Sequence, residues 1–115
     1  MTGRILTLAF FAVVAIGIAP AFAQGDAAKG ATVFAAQKCS MCHSVAGKGG
    51  KLALDTAGGN LSKLSAADIA EWITDPAAAA KKHNSTAKPP MRAYKTLPKA
   101  DLDNLVAYMQ SIAKK

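Results

Sequence analysis

The segment KCSMCHSV, residues 38–45, contains both cysteines of this chain and one of its two histidines. A disulfide between Cys39 and Cys42 would close a very short loop, so it would add little to the stability of any fold. Concentrating sulfur and imidazole within five residues instead indicates a binding site. The rest of the chain must fold around whatever that site holds.

Residues 1–23 have the pattern of a secretory signal peptide. Arg4 precedes an apolar run that ends at Pro20, and the tripeptide AFA then forms a small-x-small cleavage site. The alternative is an uncleaved membrane anchor, because the run approaches the roughly 20 apolar residues that a span requires. The polar residues after AFA favour cleavage. We therefore expect residues 24–115 to form one periplasmic domain in a bacterium, anchored in the membrane only if cleavage fails.

The expected mature chain is small and basic. It keeps 92 of the 115 residues, and removal of Arg4 lowers the net charge from +7 to +6. One core of this size contributes only a few kcal/mol, so small domains usually add disulfides, a metal or a cofactor. Because the cysteine pair cannot brace the fold, we expect a bound group to complete the interior. No nucleic-acid recognition motif accompanies the positive charge, which argues against a nucleic-acid partner.

Helical periodicity and capping residues predict an all-α domain of three to four short helices joined by long loops. Ser65-x-x-Asp68 resembles a capping box, and Asp75-Pro76 ends one helix and starts another. Loops of about 15 residues are unusual in so small a domain and indicate that they wrap a large ligand. The helices are predicted to begin near Asp26, Ser65, Asp75 and Pro98, with the last ending at Ala113.

Three chemistries use a Cys-x-x-Cys pair: a redox disulfide, half of a zinc site, or thioether attachment of haem. A redox pair needs a strand–helix context, whereas here a helix precedes the pair and the glycine-rich segment 44–60 follows it. A zinc site needs four ligands, and the remaining histidine, His83, is distant. In haem attachment, Cys39 and Cys42 add to the two vinyl groups and His43 becomes the proximal iron ligand. This chemistry occurs outside the cytoplasm, so with the export signal it predicts one covalent haem c.

Four side chains are candidates for the second axial position on the iron, since a six-coordinate electron-transfer haem takes Met or His there. Met41 lies inside the attachment loop, Met109 lies on the apolar stripe of the last helix, and His83 follows two lysines. Met91 stands in the segment AKPPMRAY, where prolines restrict the backbone beside it. We predict Met91 as the distal ligand, with an exposed loop methionine as the alternative.

The chain resembles the class I c-type cytochromes, the small monohaem carriers, over nearly the whole expected mature sequence. The resemblance rests on GDAAKGATVF, CSMCH, PPM and LDNLVAYMQSI. It implies a cytochrome c-like fold of helices around one haem, in which the first and last helices cross near a glycine and aromatics. Gly30, Phe34 and Tyr108 match those positions.

One departure from the family pattern concerns the partner of the proximal histidine. Many members carry Gly-Pro-x-Leu after the haem motif, and a backbone carbonyl there orients the imidazole. The corresponding stretch here is predicted at residues 53–59, with Leu54 in place of the proline. The sequence therefore does not identify which carbonyl orients His43. Trp72 and Tyr94 each have two interpretations, a haem-propionate partner or a core aromatic.

The predicted function is outer-sphere electron transfer by a monomeric, non-enzymatic carrier. Its expected partners are acidic redox proteins, such as a dehydrogenase, a reductase or a terminal oxidase, which surface lysines would steer. The alternatives are a haem enzyme or gas sensor with an open sixth position, or a dedicated electron-transfer subunit of a dehydrogenase or oxidase complex. The lysines that flank the ligand-bearing segments are Lys38, Lys48, Lys51, Lys88 and Lys95.

Overall fold

The structure is a computed structural model that describes residues 25–88 and 90–115. The predicted signal peptide and its cleavage site lie outside these residues. The described chain contains four α-helices: α1 (Ala27–Ala36), α2 (Ala66–Thr74), α3 (Pro76–Lys82) and α4 (Lys99–Ile112). Short 3-10 helices span Cys39–Met41 and Asn60–Lys63. None of the described helices is long and apolar enough to cross a bilayer.

The helix starts follow the predicted capping residues. The Asp26 carboxylate accepts a hydrogen bond from the Lys29 amide at 3.0 Å, and Ser65 and Asp68 form the reciprocal capping box at the start of α2. Asp75 caps α3, with Pro76 at its first turn. Each carboxylate or hydroxyl satisfies an amide that has no partner within its helix, so these four residues determine where the helices begin.

Helices α1 and α4 pack closely at a glycine, as the family resemblance implies. Gly30 is buried, and a Cβ atom there would overlap the carbonyl oxygen of Asn104. Phe34 of α1 meets Tyr108 of α4 edge to face, with ring centroids 5.5 Å apart. The Asp26 amide also donates to the Asn104 side chain at 2.8 Å. The absence of a side chain at Gly30 therefore lets the first and last helices cross in contact.

The core lies where α1, α2 and α4 meet. Ile69 and Ile73 of α2 face the buried stripe of α4 and the ring of Phe34. Burying such side chains stabilises the fold by about 1.5–3 kcal/mol each. The buried cluster consists of Phe34, Ile69, Ile73, Leu105, Val106 and Met109.

The glycine-rich segment after the cysteines contains a small sheet, where the sequence predicts a loop. Its strands are β1 (His43–Val45), β2 (Lys48–Gly49) and β3 (Leu52–Ala53), in the order β2-β1-β3. Strand β2 is antiparallel to β1, and β3 is parallel to it. Strands of two or three residues are too short to show an alternating pattern, so periodicity could not reveal them. The mainly helical fold is otherwise the one predicted.

Candidate cofactor-binding site

The two cysteines lie three residues apart, at the start and the end of a single tight turn. Lys38, in a left-handed conformation with φ of 58°, redirects the chain at the end of α1. The 3-10 helix follows, and the Cys42 amide donates to the Cys39 carbonyl at 3.2 Å. Both thiols thus belong to one rigid unit between α1 and β1, which suits two bonds to one edge of one ligand.

The environments of the two thiols differ. Cys39 packs partly buried against the core, whereas Cys42 is exposed. Burial raises the pKa of the Cys39 thiol. Catalytic and redox-active cysteines have a lowered pKa, which keeps them as thiolates. The local electrostatics therefore disfavour the thioredoxin-type interpretation and leave Cys39 facing the apolar interior.

The structure identifies the carbonyl that steadies His43. Its ring nitrogen Nδ1 lies 3.3 Å from the carbonyl oxygen of Leu52, its partner in the parallel β1–β3 pairing. When Nδ1 carries the proton and donates to this carbonyl, Nε2 is left with its lone pair free for a metal. Leu52 precedes Leu54 by two residues. It lies just before residues 53–59, where the sequence predicted this carbonyl.

Backbone hydrogen bonds fix the position of Leu52. Its amide donates to the Cys42 carbonyl at 3.0 Å, and the Gly50 amide donates to the His43 carbonyl at 3.2 Å. A Cβ atom at Gly50 would overlap the carbonyl group of Cys42. The chain after the cysteines can therefore fold back onto the Cys42–His43 peptide because position 50 has no side chain.

The four candidates for the distal position occupy four different environments. Met41 is 74% exposed on the attachment turn, and Met109 is only 7% exposed within the core cluster. The ring of His83 stacks on Trp72 of α2, and its Nε2 is 3.4 Å from Asp68. Met91 lies in the segment between α3 and α4 and is partly buried against the core cluster. Met91 is thus the methionine that is neither fully packed nor fully exposed.

Tyr94 brings the Met91 segment against the attachment turn. Its hydroxyl donates to the Gln37 carbonyl at 3.3 Å, two residues before Cys39, and its amide donates to the Ile73 carbonyl at 2.9 Å. Burial raises the pKa of Tyr94. The predicted methionine ligand and the cysteines therefore belong to adjoining segments of the folded chain.

Trp72 and Tyr94 both make contacts within the protein. The Trp72 ring stacks on His83 at 6.2 Å between centroids, and the Tyr94 hydroxyl is bonded to Gln37. Asp68 also accepts from Lys82 at 2.6 Å, and this hydrogen bond lowers the pKa of Asp68. The contacts of Trp72 with His83 and of Asp68 with Lys82 therefore join α2 to the end of α3.

Apolar side chains from several segments pack against the core cluster without being fully buried. They come from the sheet, from the second 3-10 helix and from the Met91 segment, and they are only partly buried although they are apolar. No polar or charged residue is buried among the residues that the structure describes. An apolar macrocycle would complete this interior, and thiol, imidazole and thioether are suitable groups for haem c. The partly buried apolar residues include Cys39, Val45, Leu54, Leu61, Leu64, Met91 and Leu97.

The segments on both sides of this region are basic. Residues 38–54 contain three lysines and residues 84–98 contain two lysines and Arg92, and neither segment contains an acidic residue. All five lysines named in the sequence analysis are exposed. The surface around the candidate site is therefore positively charged.

A helical fold with a Cys-x-x-Cys-His turn and a carbonyl-bonded imidazole defines the class of small haem proteins. The chain belongs to the cytochrome c family: the family model Cytochrome c matches residues 27–113, from the start of α1 to the end of α4. Proteins of this family carry out haem-based electron transfer. Comparison with curated proteins and with solved structures gives no significant match.

Proposed function

We propose that this protein is an exported single-electron carrier whose covalently attached haem c has His43 and Met91 as its axial ligands. The observation that carries the proposal is the contact between His43 Nδ1 and the Leu52 carbonyl beside two cysteines on one turn. It leaves Nε2 as the free nitrogen of an imidazole that is already oriented. The bound haem iron would supply reversible one-electron chemistry.

Each protein group has a distinct task in this proposal. Cys39 and Cys42 attach the cofactor, so that it stays with the protein through every redox cycle. His43 binds on one side in an orientation set by β3. Met91 closes the other side, and its thioether favours the reduced form of the iron and raises the potential. If His43 and Met91 both bound the iron, no position on it would be left for a substrate, as suits a carrier rather than an enzyme.

The mature, haem-loaded protein tests the ligand assignment by optical spectroscopy and redox titration. We expect low-spin ferrous spectra and a weak far-red sulfur-to-iron band in the ferric form. Met91→Ala should lose the band, lower the midpoint potential and bind carbon monoxide rapidly. Met41→Ala is the matched control, since this methionine is 74% exposed and should leave all three readouts unchanged. A high-spin wild-type ferrous form that binds carbon monoxide would instead support a haem enzyme or gas sensor.

The proposed partners are acidic redox proteins that meet the basic surface around the site. Exposed lysines and the absence of acids in residues 38–54 support electrostatic steering of a weak encounter. Opposite charges raise the association rate most at low ionic strength. We expect the rate of electron exchange with an acidic partner to fall about tenfold or more between low and physiological salt. A rate independent of salt would contradict steering.

The proposed location is the bacterial periplasm, with the mature chain starting at Gln24. Intact-mass measurement of the exported protein tests both this start and the cofactor. The expected mass is that of residues 24–115 plus one haem. Retention of residues 1–23 in a membrane fraction would support the anchored form instead. Co-purification with one dehydrogenase or oxidase would identify a dedicated subunit rather than a free, monomeric carrier.

A further inference from the structure

Tyr94 supplies the hydrogen bonds that join the segment carrying Met91 to the helices. Among the described residues of 86–97, the hydrogen bonds to a helix or its cap both come from Tyr94. Its amide reaches Ile73 near the end of α2, and its hydroxyl reaches Gln37 at the end of α1. Its carbonyl accepts the Leu97 amide at 3.4 Å, a local turn. Tyr94 therefore spans two helix ends from the middle of an irregular segment.

The position of Tyr94 is itself well determined. Its ring is partly buried against the core cluster, and the Arg92 guanidinium carbon lies 5.6 Å from the ring centroid. A cation above an aromatic face adds attraction at such a distance. Arg92 thus holds the ring on its face, and the Tyr94 amide holds the backbone. From this position the hydroxyl points at the Gln37 carbonyl. Only Arg92 and Ala93 stand between this anchor and Met91, too few residues for the thioether to move freely.

We propose that Tyr94 is a positioning residue for Met91: its hydroxyl bond to Gln37 and its amide bond to Ile73 hold the segment so that the thioether stays on the iron. The proposal rests on Met91 being the axial ligand. Gln37 stands two residues before Cys39, so one hydrogen bond joins the distal segment directly to the chain that attaches the cofactor. Loss of this bond should raise the fraction of molecules in which Met91 has left the iron.

Exogenous imidazole measures that fraction, because it can bind the ferric iron only after Met91 leaves. Its apparent affinity is therefore proportional to the population of the open state. Tyr94→Phe removes the hydroxyl and keeps the ring and its contact with Arg92. Losing a hydrogen bond and leaving its acceptor unpaired corresponds to about a tenfold change in an equilibrium. We expect imidazole to bind the Tyr94→Phe holoprotein about tenfold more tightly than the wild type.

Tyr108→Phe is the matched control. The hydroxyl of Tyr108 makes no hydrogen bond to the part of the chain that the structure describes, although its ring packs on Phe34. Its imidazole affinity should equal that of the wild type. Equal affinities in wild type, Tyr94→Phe and Tyr108→Phe, with the far-red band present in all three, would overturn the positioning role and leave Met91 ligation standing. A wild type without the band would overturn both.

Hydrogen exchange of the wild-type holoprotein provides a second test that needs no variant. If Tyr94 and Met91 open together, saturating imidazole should accelerate exchange of the Tyr94 amide, which is bonded to Ile73. The amides of α1 should keep their protection. Unchanged protection at Tyr94 on imidazole binding would contradict the coupling, even if the Tyr94→Phe variant failed to fold.

Discussion

The two segments that face the candidate cofactor site are held in different ways. The attachment segment, residues 38–54, folds on itself through backbone hydrogen bonds, including those from Cys42 to Cys39 and from Leu52 to Cys42. The distal segment, residues 84–98, is irregular, and the hydrogen bonds that join its described middle part, residues 86–97, to the helices come from the hydroxyl and the amide of Tyr94. Backbone networks tolerate side-chain changes but not a change in backbone packing. A segment that is anchored by a side chain is instead sensitive to replacement of that side chain.

The largest expected effect is a loss of stability on adding one methyl group to the attachment segment. Gly50→Ala places a Cβ atom on the Cys42 carbonyl, and backbone atoms cannot move aside as a flexible side chain can. We expect the free energy of unfolding to fall by about 3 kcal/mol, measured by guanidinium unfolding of the holoprotein. The distal comparison is Ala87→Gly, which should cost about 0.5 kcal/mol or less. Equal losses of unfolding free energy from Gly50→Ala and Ala87→Gly would contradict the difference between the two segments.

A gain in stability is expected at the hairpin turn between β1 and β2. Ala46 and Gly47 both have positive φ, of 51° and 73°, the conformation of a tight two-residue turn. Alanine is disfavoured there by about 1 kcal/mol because its Cβ crowds the backbone. Ala46→Gly should therefore raise the free energy of unfolding by about 0.5–1 kcal/mol. Ala53→Gly, in extended β3, is the control and should lower it.

A smaller loss is expected at the start of the distal segment. Asn84 has φ of 51° just after the end of α3, and its amide donates to the Lys81 carbonyl at 3.4 Å. Asparagine tolerates this left-handed conformation better than alanine does. Asn84→Ala should cost about 0.5 kcal/mol in thermal or guanidinium unfolding. Asn84→Gly should cost nothing, and a loss from both variants would point to the asparagine side chain instead.

The smallest expected effect is a pH dependence at the hairpin tip. The Ala46 amide donates to the Asp55 carboxylate at 2.9 Å, and Lys114 lies 3.4 Å from it. These contacts, the Ala46 amide first, lower the pKa of Asp55. The stability they provide is complete above the ordinary aspartate pKa of about 3.9 and is lost as the pH falls through the lower pKa of the folded protein.

Asp55→Asn tests that dependence, because it keeps the shape of the side chain and removes its charge. The variant should melt below the wild type at pH 6, and the difference should shrink as the pH falls below about 4. Melting curves across this range measure it. A difference that is independent of pH would show that shape, rather than charge, accounts for the role of Asp55.

The sequence was sufficient to predict the helices and the cysteine turn. Asp26, Ser65 and Asp75 act through local hydrogen bonds that depend on neighbours within three residues, so their roles are readable from spacing. The glycine on the apolar face of α1 likewise indicated a close approach, and the structure identifies Asn104 as the contact. Interactions between residues that are close in sequence are therefore the ones that a sequence predicts most directly.

The contacts that determine the site could not be predicted from sequence spacing. The Leu52 carbonyl reaches His43 because a tight hairpin and a glycine fold the chain back, and these strands are too short for a periodic pattern. Tyr94 meets Gln37 across 57 residues of sequence. A tyrosine three positions after a candidate ligand suggested a role, but not its partner. Long-range pairing depends on packing that no single segment encodes.

The crossing of α1 and α4 at Gly30 also has a consequence for the order in which the protein matures. A chain is synthesised from its amino end, so both thiols and His43 are made before α4, the helix that covers the apolar face of α1. The attachment turn is therefore complete while the fold still lacks its last partner.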